Sequence, residues 1–220
     1  MKQDLRIVKG LETKKRIMDC AKAAFLKYGF KDATIVEITQ EAGVPIGLFT
    51  YYFKTKSNIV NHVHLDYLER IYNAVLEYDW VKDETPLFVN SIINYVYYNN
   101  IIDNEAVSRF FLEVLNADFQ ISFLDESGKD IFRRYISFYD IDIETDQMEL
   151  LLTYNNGGKK KLITKYLQDD LNVQKEKLIY FIICCDIDFP GIPDGEKARV
   201  KEKLSNRIEE VAFSQISMLN

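Results

Sequence analysis

Cysteine and histidine are scarce in this chain, and neither is spaced for chemistry. Three cysteines, two of them adjacent as Cys184 and Cys185, cannot make a regular disulfide framework. Cys184 and Cys185 lie in the apolar run LIYFIICCDI, where buried free thiols are expected. The two histidines, His62 and His64, sit two residues apart and so fall on different faces of a helix. That excludes the i,i+4 pair that shares a metal, and a solvated or linking role is expected instead. No apolar run approaches the roughly 18–20 residues of a membrane span. The start, MKQDLRIVKG, lacks the apolar segment of a signal peptide. A cytoplasmic protein that engages no membrane is the expectation. Catalytic signatures are missing as well: there is no HExxH and no Ser-His-Asp or Cys-His arrangement that can be placed. GGKKK (157–161) has neither the preceding strand nor the glycine spacing of a phosphate-binding loop. No cofactor and no metal are expected, and an all-α enzyme is the least supported reading.

What is present is the balance of an ordinary folded protein, 47% hydrophobic and 28% charged over 220 residues. That length allows one or two domains and a substantial core. The net charge of −6 argues against a nucleic-acid partner until the chain is divided. Residues 1–60 carry 11 Lys and Arg against 6 Asp and Glu, and the remainder carries 17 against 28. A basic end on an acidic body suits DNA at that end and repels it elsewhere.

The most informative stretch is TIVEITQEAGVPIGLFTYYFKTK, residues 34–56. Thr34 followed three residues later by Glu37 is a capping box. Ile35, Ile38 and Ala42 then repeat at helical spacing, and Gly43 is suited to the left-handed residue that ends a helix. Pro45 fits the first turn of a second, short helix reaching about Tyr51. Helix, glycine turn and short helix make a helix-turn-helix, whose second helix enters a DNA major groove. Upstream, Ile17, Ala21, Ala24, Phe25 and Tyr28 mark one stripe of a helix over residues 11–28, closed by Gly29. Residues 1–9 have no clear period and read as a mobile arm or a frayed end.

Residues 10–60 resemble the N-terminal domain of the TetR family of transcriptional regulators. The matching pieces are AAFLKYGF (23–30), ATIVEITQEAGV (33–44) and the run from Gly47 through Tyr52, Phe53 and Lys54 to Lys56. The resemblance implies an all-α fold, with a three-helix helix-turn-helix domain over residues 1–56 and a larger effector-binding and dimerisation domain over 57–220. It implies a homodimeric, ligand-responsive regulator, a repressor binding a palindromic double-stranded DNA site and released by a small molecule. A protein of the same fold that acts through protein partners is the alternative. By resemblance, Thr34 and Lys56 are phosphate ligands. Tyr51, Tyr52 and Lys54 join them by chemistry, since hydroxyls and ammonium groups suit phosphate. Phe49 and Phe53 are expected in the core.

The second helix departs from the family pattern, with Pro45, Ile46 and Leu48 near its start and no Arg, Asn or Gln. Readout is therefore expected from methyl contacts by Ile46 and Leu48, the hydroxyls of Thr50 and Tyr51, and DNA shape, favouring an A·T-rich site. Gly47 would let backbone approach closely.

Beyond residue 56 the chain reads as helices throughout: about 57–78, 86–99, 104–115, one ending near 139, 144–154, 162–171, 173–186 and 196–218. The segment 80–85, Asp125–Gly128 and PGIPDG (190–195) are expected as breaks. NNGG at 155–158 reads as a break or as a weak point within one long helix. Aromatics are abundant, and Tyr67, Tyr95, Phe110, Phe111, Tyr135 and Tyr139 are candidates for a pocket that takes an apolar or aromatic effector. A helical core would need the same residues. Asn94, Asn99, Arg109 and Glu113 are candidate polar handles. By resemblance, helices 173–186 and 196–218 form the dimer interface.

Overall fold

Apolar residues at three- and four-residue spacing, with a capping residue before most segments, dictate helices along nearly the whole chain. The computed structural model describes residues 2–117, 122–207 and 216–220. Among these, ten α-helices and one 3-10 turn make up the regular structure, and no strand occurs.

The first three helices are α1 (Lys2–Asp32), α2 (Ile35–Glu41) and α3 (Ile46–Phe53). α1 begins well before the expected residue 11, because nothing between Lys2 and Lys9 breaks a helix. Those residues are the first turns of α1 rather than an irregular arm. α4 (Lys56–Leu76) leads into the body, through a 3-10 turn (Asp79–Val81) where a plain loop was expected. α5 (Pro86–Asp103) opens at the Thr85–Pro86 signal, with the Thr85 hydroxyl accepting the Phe88 N–H. It buries residues on every side, from Leu87 and Phe88 to Val96 and Ile101. A helix apolar all round belongs at the centre, and α5 packs against α4, α6, α7, α9 and α10.

α6 (Glu105–Asn116) is capped by Asn104, as its sequence indicates, and packs along α1. α7 (Ser122–Tyr139) runs straight through Asp125–Gly128, where a break was expected. One glycine costs a helix only about 1 kcal/mol, less than the packing of Phe132 on Phe189 at 4.5 Å returns. α8 (Thr145–Leu167) likewise continues through Asn155–Gly158, so NNGG is a weak point within one helix and 162–167 is its last part. α9 (Lys175–Ile187) and α10 (Asp194–Arg207) follow. Of the helix expected over 196–218, residues 208–215 lie outside the described residues. Residues 216–220 are not helical: Met218 and Leu219 are buried, and the Asn220 carbonyl accepts from Lys22 Nζ at 3.0 Å.

Two side-chain expectations are corrected. His64 is fully buried rather than solvated, because α4 turns it onto Phe110 and Phe111 of α6, with ring centroids 6.2 and 5.8 Å away. Burial pushes its pKa down to about 4, against a backbone hydrogen bond to Val60 that favours the charged form. Cys184 is half-buried and Cys185 exposed, because α9 commits Leu178, Ile179, Ile182, Ile183 and Ile187 to the core and turns the thiols aside.

Candidate functional site

The helix-turn-helix is built from local signals. Thr34 Oγ1 accepts the Glu37 N–H at 3.2 Å, and Glu37 Oε2 accepts the Thr34 N–H at 3.0 Å and its hydroxyl at 2.7 Å. These two hydrogen bonds from Thr34 hold the exposed Glu37 carboxyl below the usual range. Gly43 takes φ 61° after the Ala42 cap, the left-handed conformation a side chain would strain. Pro45 is extended (φ −61°, ψ 145°) and stands just before the first turn of α3, not within it. Phe49 and Phe53 are wholly buried, as expected.

Burying those two rings fixes which face of α3 looks outward. Ile46 is 51% and Tyr51 75% exposed, and Pro45, Gly47 and Thr50 are exposed beside them. Leu48 and Tyr52 are half-buried, and Tyr52 lies under α1, its hydroxyl 3.4 Å from where a Cβ on Gly10 would be. Lys54 has φ 62°, a strained backbone for lysine, in the tight exposed turn between α3 and α4. Val36 (50% exposed) and Gln40 on α2 share this outward exposure. Sequence reasoning passed over both, although the period that buries Ile38 also turns them out.

Lys56 is occupied within the protein. Its ammonium donates to the carbonyls of Phe30 (2.6 Å), Ala33 (2.9 Å) and Lys31 (3.1 Å), and lies 4.6 Å from the Phe30 ring centroid. Burial lowers its pKa, while Asp32 and Glu113 act in the opposite direction. The first residue of α4 thus holds the corner between α1 and α2. α6 holds the same corner from the other side. Arg109 Nη2 donates to the Leu26 and Lys27 carbonyls at 3.1 and 3.2 Å, and Glu113 accepts the Lys31 N–H at 2.9 Å. Gly29 has a φ of 80°, which a side chain would strain, and a Cβ there would push the Glu113 carboxylate, 2.6 Å away, from its bond to Lys31.

In the body, a cavity of about 420 Å³ opens between α4, α5 and α7. Leu65, Leu68, Tyr72 and Leu76 of α4 form one wall, and Tyr135 and Arg134 of α7 lie opposite. Tyr135 is buried and its hydroxyl accepts from Asn90 Nδ2 at 2.8 Å. Of the six candidate aromatics, Tyr135 alone lines this cavity among the described residues. Tyr67 and Phe110 are fully buried core, on Tyr97 and Phe25 respectively. Phe111 borders a void of about 20 Å³, Tyr95 is half-buried against the core, and the Tyr139 hydroxyl donates to Glu196 at 3.1 Å. The apolar character of the α4 wall, though not what it faces, could have been read from the sequence. Positions 65, 68, 72 and 76 are a second apolar stripe beside the buried one at 59, 63, 67, 71 and 75. The polar handles serve internal contacts: Asn94 donates to Asp186 at 3.0 Å and Asn99 to Asp103 at 3.0 Å, while Arg109 and Glu113 grip α1.

A third feature is an apolar groove of about 510 Å³ between α8 and α9, where Tyr154 is 84% and Phe181 55% exposed. The outward residues of α10, Ala198, Glu202, Ser205 and Asn206, are small or polar. Among the described residues no helix is long and apolar enough to cross a membrane, and no cluster of three or more His, Cys, Asp or Glu could hold a metal.

The family model for bacterial regulatory proteins of the tetR family matches residues 17–63, which span α2, α3 and their supports. The HTH-type transcriptional regulator BetI of Klebsiella pneumoniae (strain 342) is 32% identical over 63 residues, 29% of this chain and 32% of BetI. The chain thus matches only about a third of BetI's length. An uncharacterized HTH-type transcriptional regulator of Bacillus subtilis (strain 168), YdgC, is 28% identical over 178 residues, 79% of each chain. Among solved structures, a TetR transcriptional regulator from Rhodococcus sp. RHA1 has the same fold. Its TM-score is 0.60 at 15% identity, over 83% of this chain and 99% of that one. RolR, solved in complex with resorcinol, gives a TM-score of 0.58 at 17% identity, over 90% and 96%. Residues 17–63 thus match the tetR family of bacterial regulatory proteins, and the helical body shares the fold of a solved TetR-type regulator.

Proposed function

We propose that the protein is a homodimeric repressor whose DNA-reading helices, residues 1–56, respond to a small molecule held by the body, residues 57–220. One observation carries this reading. The same helix, α4, walls the 420 Å³ cavity with Leu65, Leu68, Tyr72 and Leu76 and grips the α1–α2 corner with Lys56. A ligand that fits the cavity better with α4 displaced biases the spacing of the two recognition helices in the dimer, and with it the fit to DNA. RolR, a protein of this fold described in complex with resorcinol, supports an effector of small apolar or aromatic type.

Each recognition helix reads with Ile46, Thr50 and Tyr51, flanked by Pro45, Gly47, Leu48 and Tyr52. Thymine methyls and shape dominate, favouring A·T-rich half-sites arranged as a palindrome. Lys54 and the backbone N–H groups at the start of α2 and α4 face phosphate. Lys56 and Thr34, already engaged with carbonyls and with Glu37, position those helix ends. The second copy docks on the α8–α9 groove, where Tyr154 and Phe181 stand exposed, whereas the described outward residues of α10 are small or polar.

The test is selection of duplexes from a random library at two salt concentrations, using the wild type and Tyr51→Ala. The expected result is a palindromic site whose affinity falls steeply with salt and drops about tenfold in the variant. The absence of Arg, Asn and Gln from α3 favours a second reading, a protein partner for this face. A folded dimer that enriches no duplex would put that reading first.

A further inference from the structure

We propose that the 420 Å³ cavity takes an apolar monocarboxylate, with Arg134 as its counter-charge. The proposal rests on the reading of this cavity as the effector site and names the chemistry that fits it. The walls call for an apolar body. Leu65 and Tyr72 of α4 remain 49% and 38% exposed, and they face Val89 and Ile93 of α5 and Ile131 of α7. A stripe of this width left uncovered by the chain's own core gains by burial against a ligand.

The charges around the cavity decide the head group. Burial opposes the charge on Glu84, yet hydrogen bonds from Lys203 and Arg199 hold its carboxyl below the usual range. Asp130 is paired with Arg133 at 2.9 Å, and Lys82 with Asp79 at 2.5 Å. Arg134 is different. Among the described residues no carboxylate lies within 4.0 Å of it, although it stands on the lining of the cavity. Among the described lining residues each carboxylate is therefore paired with a cation while Arg134 is not, which selects an anion over an ammonium group. A single guanidinium presents one planar fork, the match for a carboxylate.

Trp80, the only tryptophan, sits in the 3-10 turn whose Val81 lines the cavity, 6.1 Å from the Phe88 ring. Its emission reports occupancy. Decanoate, methyl decanoate and decylamine, titrated below their micelle-forming concentrations, share a tail and differ in head group. Decanoate is expected to give a saturable change with roughly tenfold tighter binding than the ester or the amine. Arg134→Leu is expected to abolish that gap while leaving the ester's affinity as it was, and Arg134→Lys to restore part of it. Equal binding of acid and ester, a gap that survives in Arg134→Leu, or no saturable response from any of the three would overturn the proposal. The effector reading is checked separately by Val89→Trp, which fills the cavity without a ligand. Unchanged DNA affinity in that variant sinks the effector reading, whereas binding indifferent to the acid group sinks only the ligand class.

Discussion

The α2–α3 reading pair and the helical body of this protein are stabilised by contacts of different range. Between Thr34 and Thr55 the decisive bonds span three or four residues: the Thr34–Glu37 box, the Gly43 turn, and the Thr55 hydroxyl accepting the Asn58 N–H. In the body they span tens of residues. Asp186 of α9 accepts from Asn94 of α5, and from Asn155 and Lys159 of α8 at 2.7 and 2.5 Å. Glu84 and the Thr85 hydroxyl draw Arg199 to the start of α5 in the same way. The reading end can therefore vary its outward face freely, while the body depends on distant groups remaining matched.

Asp186→Ala should break the body hardest. It leaves Lys159 and two amides without their shared acceptor, because Asp186 is only 4% exposed. A loss of about 3–5 kcal/mol is expected in denaturant unfolding. A loss below 1 kcal/mol would mean that water replaces the carboxylate.

Acid should weaken the body next. His64 has a folded pKa near 4 against an unfolded value of 6.5, so the unfolded chain binds more protons between those two pH values. Stability from this group is complete above pH 6.5 and declines as pH falls toward 4. The expected loss between pH 7 and pH 5 is about 2 kcal/mol, and His64→Gln should flatten that limb of the stability profile.

At the reading end, Thr34→Ala removes one cap from a seven-residue helix, and a cost of about 1 kcal/mol is expected. Circular dichroism melts would register it as a small shift, and a body-sized effect would erase the contrast drawn here. The smallest effect is a gain. Gly157 lies inside α8 with open space beside it, so Gly157→Ala should add about 0.5–1 kcal/mol through helix propensity.

The same difference in range explains what was legible in the sequence. Thr34, Glu37 and Gly43 announce their structure through their immediate neighbours, as do Thr85–Pro86 and Asn104 in the body. His64 does not, since its burial depends on Phe110 and Phe111 more than forty positions away. Nor does NNGG at 155–158, which stays helical while Asn155 and Lys159 bond to Asp186 on another helix. Tyr67 and Tyr135 look alike in the sequence, and only packing places one in the core and the other on a cavity wall.

The sequence by itself determined the helices, their caps, the turn between α2 and α3 and the basic end, because each follows from dihedral preference, spacing or charge within a few residues. The tertiary structure decided that Lys56 grips the α1–α2 corner, that the apolar stripe of α4 walls a cavity, and that among the described residues Arg134 stands there without a carboxylate. Those outcomes depend on which distant groups meet when the helices share one core, and no local pattern carries that information.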